Sequence, residues 1–383
     1  MDFKLDARQS DTQRVAAEAA RDLVAPAAAA LDRDKRFPAD TLRALGARGL
    51  LGINVDPAHG GRGAGAVAYV LAVRELAAAC AATTVGLMVT NMVAEAIQGF
   101  GDDDQKKRYL PRITGGEWPA AGFSLSEPDS GSDAASLRTT AVRDGDHYVI
   151  DGTKSWVTSG GHAGLYLVMA RTDPDARARG ISAFLVEPGT PGFEATHPED
   201  KLGQRASATT QLVFDGCRVP AHNRLGPEGI GFRIAMSALD GGRIGVSAQA
   251  VGIATAAAAA ATRHAADLMD DMPPEHADIQ RRVADCAMEL DAGWLLCLRA
   301  AALKDQGKPM TREAAMAKLY CTEMANRVCR AAVEVFGPDG VTRAHAVERY
   351  LRDVRVTRIY EGTSEVQRIV IARETLRLAS AGR

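Results

Sequence analysis

The chain has 383 residues, 46% of them hydrophobic and 25% charged, with a formal charge of -2 at pH 7. That length implies two or three domains with a large buried interior, and the composition excludes disorder and a fibrous class. With a pI near 6.5 the chain has no electrostatic pull on phosphate polymers, which excludes nucleic acid as a partner.

The opening stretch, MDFKLDARQSDTQR, mixes acidic and basic side chains and lacks the apolar core of a secretory signal, so a cytoplasmic location is expected. From Ser10 to about Ile113 apolar residues recur three and four apart, as in Val70, Val73, Leu76 and Ala77, which predicts helix after helix. The glycine-rich run His59 to Gly65 reads as a loop, because it follows helices and lacks the spacing and βαβ context of a dinucleotide fingerprint. Between about Trp118 and Pro227 the pattern changes to short β-rich runs, HYVIDG, SWVTSG, LYLVMA, ISAFLVEP and QLVFDGCRVP, broken by Asp-Gly and Pro-Gly turns.

Helical periodicity returns beyond Gly229 and predicts helices over Gly231 to Arg263, Asp278 to Gln306, Thr311 to Phe336 and Ala344 to Arg358, with a last one from near Ser364. The uncharged stretch Ile244 to Thr262 approaches membrane-spanning length. It is mostly Ala, which contributes little transfer energy, so it reads as a helix buried among helices and not as a membrane span. Cys80, Cys217, Cys286, Cys297, Cys321 and Cys329 form no Cys-x-x-Cys pair and have no histidine at ligand spacing. They read as reduced core thiols, and no metal site is expected. The order is thus helical (1–117), β (118–228), helical (229–383): an α+β, mainly α, multidomain chain without the strand–helix alternation of a doubly wound fold.

The run YEGTSEVQR, Tyr360 to Arg368, sets a carboxylate at a bend. Gly362 allows a sharp turn directly after Glu361, and Ser364 with Gln367 has the Ser-x-x-Gln pattern of a capping box. Flanked by Ile359 and Tyr360, Glu361 should be partly desolvated and bind its proton more tightly, a property suited to a general base. A surface hydrogen-bond acceptor is the other reading of the same residues.

Three segments resemble the acyl-CoA dehydrogenase family of flavoenzymes: VERYLRDVRVTRIYEGTSEVQRIVIARE (Val347 to Glu374), FSLSEPDSGSD (Phe123 to Asp133) and DGTKSWVTSGG (Asp151 to Gly161). The likeness runs from about residue 10 to the end. It implies an N-terminal helical domain, a middle β-barrel-like domain and a C-terminal four-helix bundle. It also implies an activity, the α,β-dehydrogenation of an acyl-CoA thioester, with FAD as cofactor. By that resemblance Glu361 removes the pro-R α-proton while the β-hydrogen leaves as hydride to the flavin, and the backbone N–H of Glu361 is one donor to the thioester oxygen. Some relatives carry the base in a Leu-Asp-x-Glu-Arg pattern; here Leu239-Asp240-Gly241-Gly242-Arg243 has glycine in that place, which leaves Glu361.

The resemblance further implies that Phe123, Leu125, Ser126 and Ser132 line the flavin, that Ser132 also approaches the CoA, and that Trp156, Val157 and Thr158 cover the isoalloxazine. Thr363 and Glu365 would meet the cofactor beside the base, and Asp240, Arg243 and Gly362 the substrate. An electron-transferring flavoprotein is the implied acceptor and a homotetramer (or homodimer) the implied assembly, with short or branched acyl groups favoured. Two stretches depart from the family pattern. Arg263 to Gln280 lacks the expected Phe-Gly and holds Asp267, Asp270, Asp271, Glu275 and Asp278, charges that repel a diphosphate. Phe336 to Val341, FGPDGV, replaces a glycine pair, and Glu334 stands where Gln is frequent. These changes raise two alternatives: an FAD-deficient, non-catalytic acyl-thioester-binding subunit of the same fold, and an acyl-CoA oxidase.

Overall fold

The computed structural model describes residues 4–268 and 277–381. Its first layer is six helices: α1 (Ala7–Ala19), α2 (Ala25–Asp34), α3 (Ala39–Gly46), α4 (Gly65–Ala79), α5 (Ala81–Phe100) and α6 (Asp103–Thr114). α1 and α6 start on reciprocal capping boxes, Asp6 with Gln9 and Asp102 with Gln105, which satisfy N–H groups a helix start leaves open. The glycine-rich run is a loop up to Gly65, the first residue of α4, whose Ala66 and Val67 N–H groups donate to the Asp305 carboxylate at 2.5 and 3.0 Å.

The β segment is one eight-stranded sheet: β1 (Ala121–Ser124), β2 (Thr140–Asp144), β3 (His147–Thr158), β4 (Leu165–Arg171), β5 (Ile181–Val186), β6 (Phe193–Ala195), β7 (Thr209–Pro220) and β8 (Arg224–Leu225). The order is β6-β7-β3-β2-β4-β5-β8, with β1 running parallel to β4 off that path. The sequence suggested that HYVIDG and SWVTSG are separate runs around an Asp-Gly turn; they are one strand. β3 pairs antiparallel with β7 over nearly its whole length, and its Asp151-Gly152 step is a bulge with Gly152 at φ +146°. The Asp151 carboxylate accepts the Gly216 N–H at 2.7 Å, so the two Asp-Gly steps lock onto each other across the ladder instead of turning the chain.

The C-terminal layer holds α7 (Gly231–Leu268), α8 (Ala277–Asp305), α9 (Thr311–Phe336), α10 (Val347–Val354) and α11 (Ser364–Ala381). The predicted helix over Ala344 to Arg358 is shorter than expected, and Arg355–Arg358 tightens into a 3₁₀ turn. α7 is long and apolar enough to cross a membrane, yet 72% of its most apolar window is buried inside the protein. Its Ala and Gly residues let α4 come close, and all six cysteines lie buried and unpaired in the interior. One apolar cluster joins the N-terminal helices, the C-terminal bundle and one face of the sheet; a second fills the space between α5, α6, the opposite sheet face and the start of α7.

α4 lies close against α7 at Gly252, where a Cβ would lie 2.5 Å from the Arg74 carbonyl oxygen and 2.8 Å from the Ala77 Cβ. Gly252→Ala therefore overpacks that crossing. It should cost roughly 1–3 kcal/mol, measured as a lower urea midpoint with an unchanged slope.

Candidate active site

The corner that carries Glu361 is built by local geometry. After the 3₁₀ turn, the Ile359 and Tyr360 N–H groups both donate to the Val356 carbonyl, at 2.8 and 3.3 Å. Glu361 then takes φ +56° and Gly362 φ +88°, so a non-glycine residue occupies the left-handed region. Such a backbone persists only where its surroundings over-determine it. Here Gln367 Nε2 donates to the Glu361 and Gly362 carbonyls at 3.0 and 2.8 Å, and Lys318 Nζ donates to the Gly362 carbonyl at 2.7 Å.

The expected capping box is not formed by Ser364. α11 begins at Ser364, which makes Thr363 the cap, and Thr363 Oγ1 accepts the Val366 N–H at 3.3 Å. The Ser364 hydroxyl instead donates to Glu323 at 2.6 Å. Nor does Ile359 shield the carboxylate, being 52% exposed. The cover comes from α7, where a Cβ on Gly242 would lie 2.5 Å from Glu361 Oε2 and 2.8 Å from Oε1. The carboxylate thus rests on bare helix backbone, and its Oε2 is buried without a hydrogen-bond partner. Burial pushes the Glu361 carboxyl up to about 7, against the pull of Arg243 and Lys318.

Around that group α7 presents Gly241, Gly242 and Gly245, and each admits a neighbour to the helix surface. The Tyr69 hydroxyl lies 2.7 Å from where a Gly245 Cβ would stand, and Lys304 Nζ 3.1 Å from that of Gly241. Arg243 is buried and pairs with Asp240, whose second oxygen accepts the Thr311 hydroxyl at 2.8 Å. Arg243 Nε remains buried and unpartnered. The Tyr360 hydroxyl donates to Gln249 on α7, and Gln249 Nε2 donates to the Ala81 carbonyl at 3.0 Å.

A second group forms on the sheet. Phe123 ends β1 with Ser124, the half-buried Ser126 and buried Leu125 follow it, and the Ser155 N–H donates to the Ser126 carbonyl at 2.9 Å. A register shift between Lys154 and Val157 throws Trp156 outward at φ +61°, leaving it 64% exposed. Val157 is buried beneath, Thr158 is half-buried, and Ser159 at φ +64° holds a buried hydroxyl with no partner, as does Thr210 opposite. Under this surface Lys154 Nζ, fully buried, meets the Glu127 carboxylate at 2.8 Å and the Leu125 carbonyl at 3.2 Å, while Glu127 accepts the Arg138 and Thr139 N–H groups at 2.6 and 2.9 Å.

The residues singled out in the sequence therefore fall into two groups. Glu361, Gly362, Asp240 and Arg243 gather at α7, and Phe123, Leu125, Ser126, Trp156, Val157 and Thr158 gather at the sheet edge. Ser132 is exposed in the loop after β1, and Glu365 is exposed, with Arg368 at 3.9 Å and the Thr363 hydroxyl and Arg358 also acting on it. The segment 201–208 links the groups: the Ser159 N–H donates to the Ala208 carbonyl at 2.7 Å, and Gln204 donates through its N–H to the Asp353 carboxylate and through Nε2 to the Asp353 carbonyl at 3.1 Å. Burial pushes Asp353 up to about 6. Sequence reasoning missed Lys318, Gln204, Gln249 and Asp353. A lysine at an apolar-face position of α9 was the one readable signal among them.

Of the departures, Asp270, Asp271 and Glu275 lie outside the described residues. Glu334 is held by Arg282 and by Arg330 at 3.6 Å, so its charge is locally compensated. Gly337–Val341 forms a 3₁₀ turn, and Phe336 before it is stacked on His264, with centroids 4.1 Å apart.

A helical layer, a sheet and a second helical layer, with a desolvated carboxylate at one junction, describe a known architecture. The chain matches the models of the acyl-CoA dehydrogenase N-terminal domain (residues 6–117), middle domain (122–217) and C-terminal domain (229–376), and it belongs to the acyl-CoA dehydrogenase family. It is 44% identical to the mitochondrial short-chain specific acyl-CoA dehydrogenase of Mus musculus, over 92% of this chain and 86% of that one. It is 41% identical to the acryloyl-CoA reductase (NADH) of Anaerotignum propionicum, over 98% and 96%. The solved butyryl-CoA dehydrogenase of Megasphaera elsdenii superposes with a TM-score of 0.94 at 38% identity, covering 98% of this chain and all of that one.

Because Lys154 and Glu127 are both buried, Lys154→Met strands a carboxylate and should destabilise the fold by about 3–5 kcal/mol. The double variant Lys154→Met/Glu127→Leu should recover most of that loss in urea titrations.

Proposed function

We propose that the protein is an FAD-dependent acyl-CoA dehydrogenase that converts a short acyl-CoA thioester to its trans-2-enoyl-CoA, with Glu361 as the base. The observation that carries this reading is the Glu361 carboxylate, buried against Gly242 with one oxygen unpartnered and its proton affinity raised to about 7. A carboxylate in water is too weak a base for the carbon next to a thioester. One whose oxygen is buried without a hydrogen-bond partner holds a proton more tightly and is the stronger base.

The residues present fit the cofactor. An outward indole on a strained bulge, beside the buried unpartnered hydroxyls of Ser159 and Thr210, suits a flat ring with polar edges. Phe123, Leu125, Ser126 and Ser132 would hold it from one segment, Trp156, Val157 and Thr158 from the other, and Thr363 and Glu365 from the base side. When bound, FAD supplies the acceptor for the β-hydride. The chain does the rest: Gly242 leaves room for the carboxylate, Gln367 and Lys318 fix the two carbonyls behind it, and the Glu361 N–H would donate to the thioester oxygen as negative charge gathers there. Glu361 then holds the α-proton. Asp240 and Arg243, paired with each other, would meet the CoA, while Arg243 also keeps a positive charge toward Glu361.

Electrons pass in this proposal to an electron-transferring flavoprotein. A homotetramer is supported by apolar side chains that a monomer would leave in water, Met288 and Leu295 on α8 and Ile369 and Leu376 on α11. The same two helices and α9 also line an open groove of about 490 Å³, with Leu296, Met316, Leu319 and Ile371 on its walls.

The purified protein should show flavin absorption bands; a colourless protein that takes up no added FAD would overturn the reading in favour of a non-catalytic subunit. Oxygen consumption matching turnover would mark an oxidase instead. In anaerobic single turnovers with butyryl-CoA, Glu361→Gln should keep its FAD and slow flavin reduction by about 10³-fold. Glu361 must be ionised to act, so the wild-type rate should rise with pH through about 7 and level off above it. A profile flat between pH 5.5 and 8.5 would remove Glu361 from the role.

A further inference from the structure

Lys318 is the least expected neighbour of this site. It lies on α9 with none of its surface exposed, and its ammonium, which can donate three hydrogen bonds, has one protein acceptor at hydrogen-bond distance, the Gly362 carbonyl at 2.7 Å. A buried cation with a single neutral acceptor is costly unless an opposite charge lies nearby. The carboxylate that fills this need is Glu361, which makes no direct ion pair with Lys318 yet is the foremost negative charge acting on it. Glu323 and Glu365 act on it more weakly, and Arg243 on α7 opposes them. Facing Glu361 in turn are Arg243 and Lys318 as cations, with the Tyr69 hydroxyl on α4 and the Tyr360 hydroxyl beside it.

Two of these cations differ in what else they do. Arg243 is paired with Asp240, and Glu323, the nearest carboxylate to Lys318 on its own helix, is occupied by Arg358 at 2.9 Å and by the Ser364 hydroxyl at 2.6 Å. Lys318 is left as the positive charge with no ion-pair partner of its own among the described residues at this corner. It is also the one that grips the peptide following the base.

We propose, resting on the function assigned above, that Lys318 is a positioning residue for the reaction: its ammonium pins the Gly362 carbonyl, holding Glu361 in its left-handed corner, and adds to Arg243 a second buried positive charge that favours the ionised form of Glu361 until it takes the proton. The same burial pushes the Lys318 ammonium down to about 8, so it stays charged at neutral pH with little margin. Proton transfer to Glu361 removes the counter-charge, and product release with loss of that proton restores it.

Three variants separate the two roles. Lys318→Gln keeps a donor for the Gly362 carbonyl and loses the charge, Lys318→Met loses both, and Lys318→Arg keeps the charge. Removing a positive neighbour raises the proton affinity of a carboxylate, so the midpoint of the single-turnover reduction profile should move upward by roughly one pH unit in the Gln and Met variants and stay in place in the Arg variant. On the high-pH plateau Lys318→Gln should reduce within about threefold of wild type, and Lys318→Met about tenfold or more below it. The infrared carboxyl band of Glu361, assigned by its loss in Glu361→Gln, reads the same titration in resting protein without turnover. An unmoved midpoint and band in both neutral variants overturn the proposal, even where thermal stability falls. If Glu361→Gln reduces its flavin as fast as wild type, the functional reading fails instead, and the infrared titration still decides the coupling to Lys318.

Discussion

A carboxylate pressed onto the bare backbone of a helix, with one oxygen buried and unbonded, is the contact on which the rest of the site depends. It requires Gly242, because any side chain there would occupy the space of the Glu361 oxygens. It requires a left-handed residue at 361, because only that turn swings the side chain back toward α7 before α11 departs. The donors from Gln367 and Lys318 hold the turn, and burial does the chemical work of raising proton affinity. Each element contributes through geometry that a polar substitution would spoil.

The sheet solves a different problem. Its exposed Trp156 stands on a bulge that would collapse without a rigid foundation, and the buried Lys154–Glu127 pair provides one by tying β3 to the segment after β1. A buried ion pair is seldom worth much in net stability, but it fixes orientation. The segment 201–208 then carries the sheet's position to α10 through Gln204 and Asp353, in the turn-and-helix stretch that leads to Glu361. Two surfaces built by separate parts of the chain are thus held in one register by hydrogen bonds that neither surface contains.

Helix and strand positions were largely legible because apolar periodicity follows from the same burial that forms the layers, as at Val70, Val73, Leu76 and Ala77, all buried. Asp151-Gly152 misled because the dipeptide signals a positive φ, and a bulge inside a long strand uses that freedom as readily as a turn does. Glu361 was legible from the glycine after it and from a resemblance carried by whole motifs. Its true cover was not: Ile359 is two residues away in sequence but exposed, while Gly242 is more than a hundred residues away. Lys318 and Gln204 escaped notice for the same reason. Their partners are backbone carbonyls and a carboxylate fixed by tertiary packing, and no local spacing encodes such contacts.

The glycine under the carboxylate also constrains how this site can change over time. An acid on α7 at residue 242 and an acid at the corner would share one volume, so with both in place the Glu361 carboxylate has to swing aside. Exchange between them calls for paired substitutions, and each single step passes through a protein with either a crowded carboxylate or none.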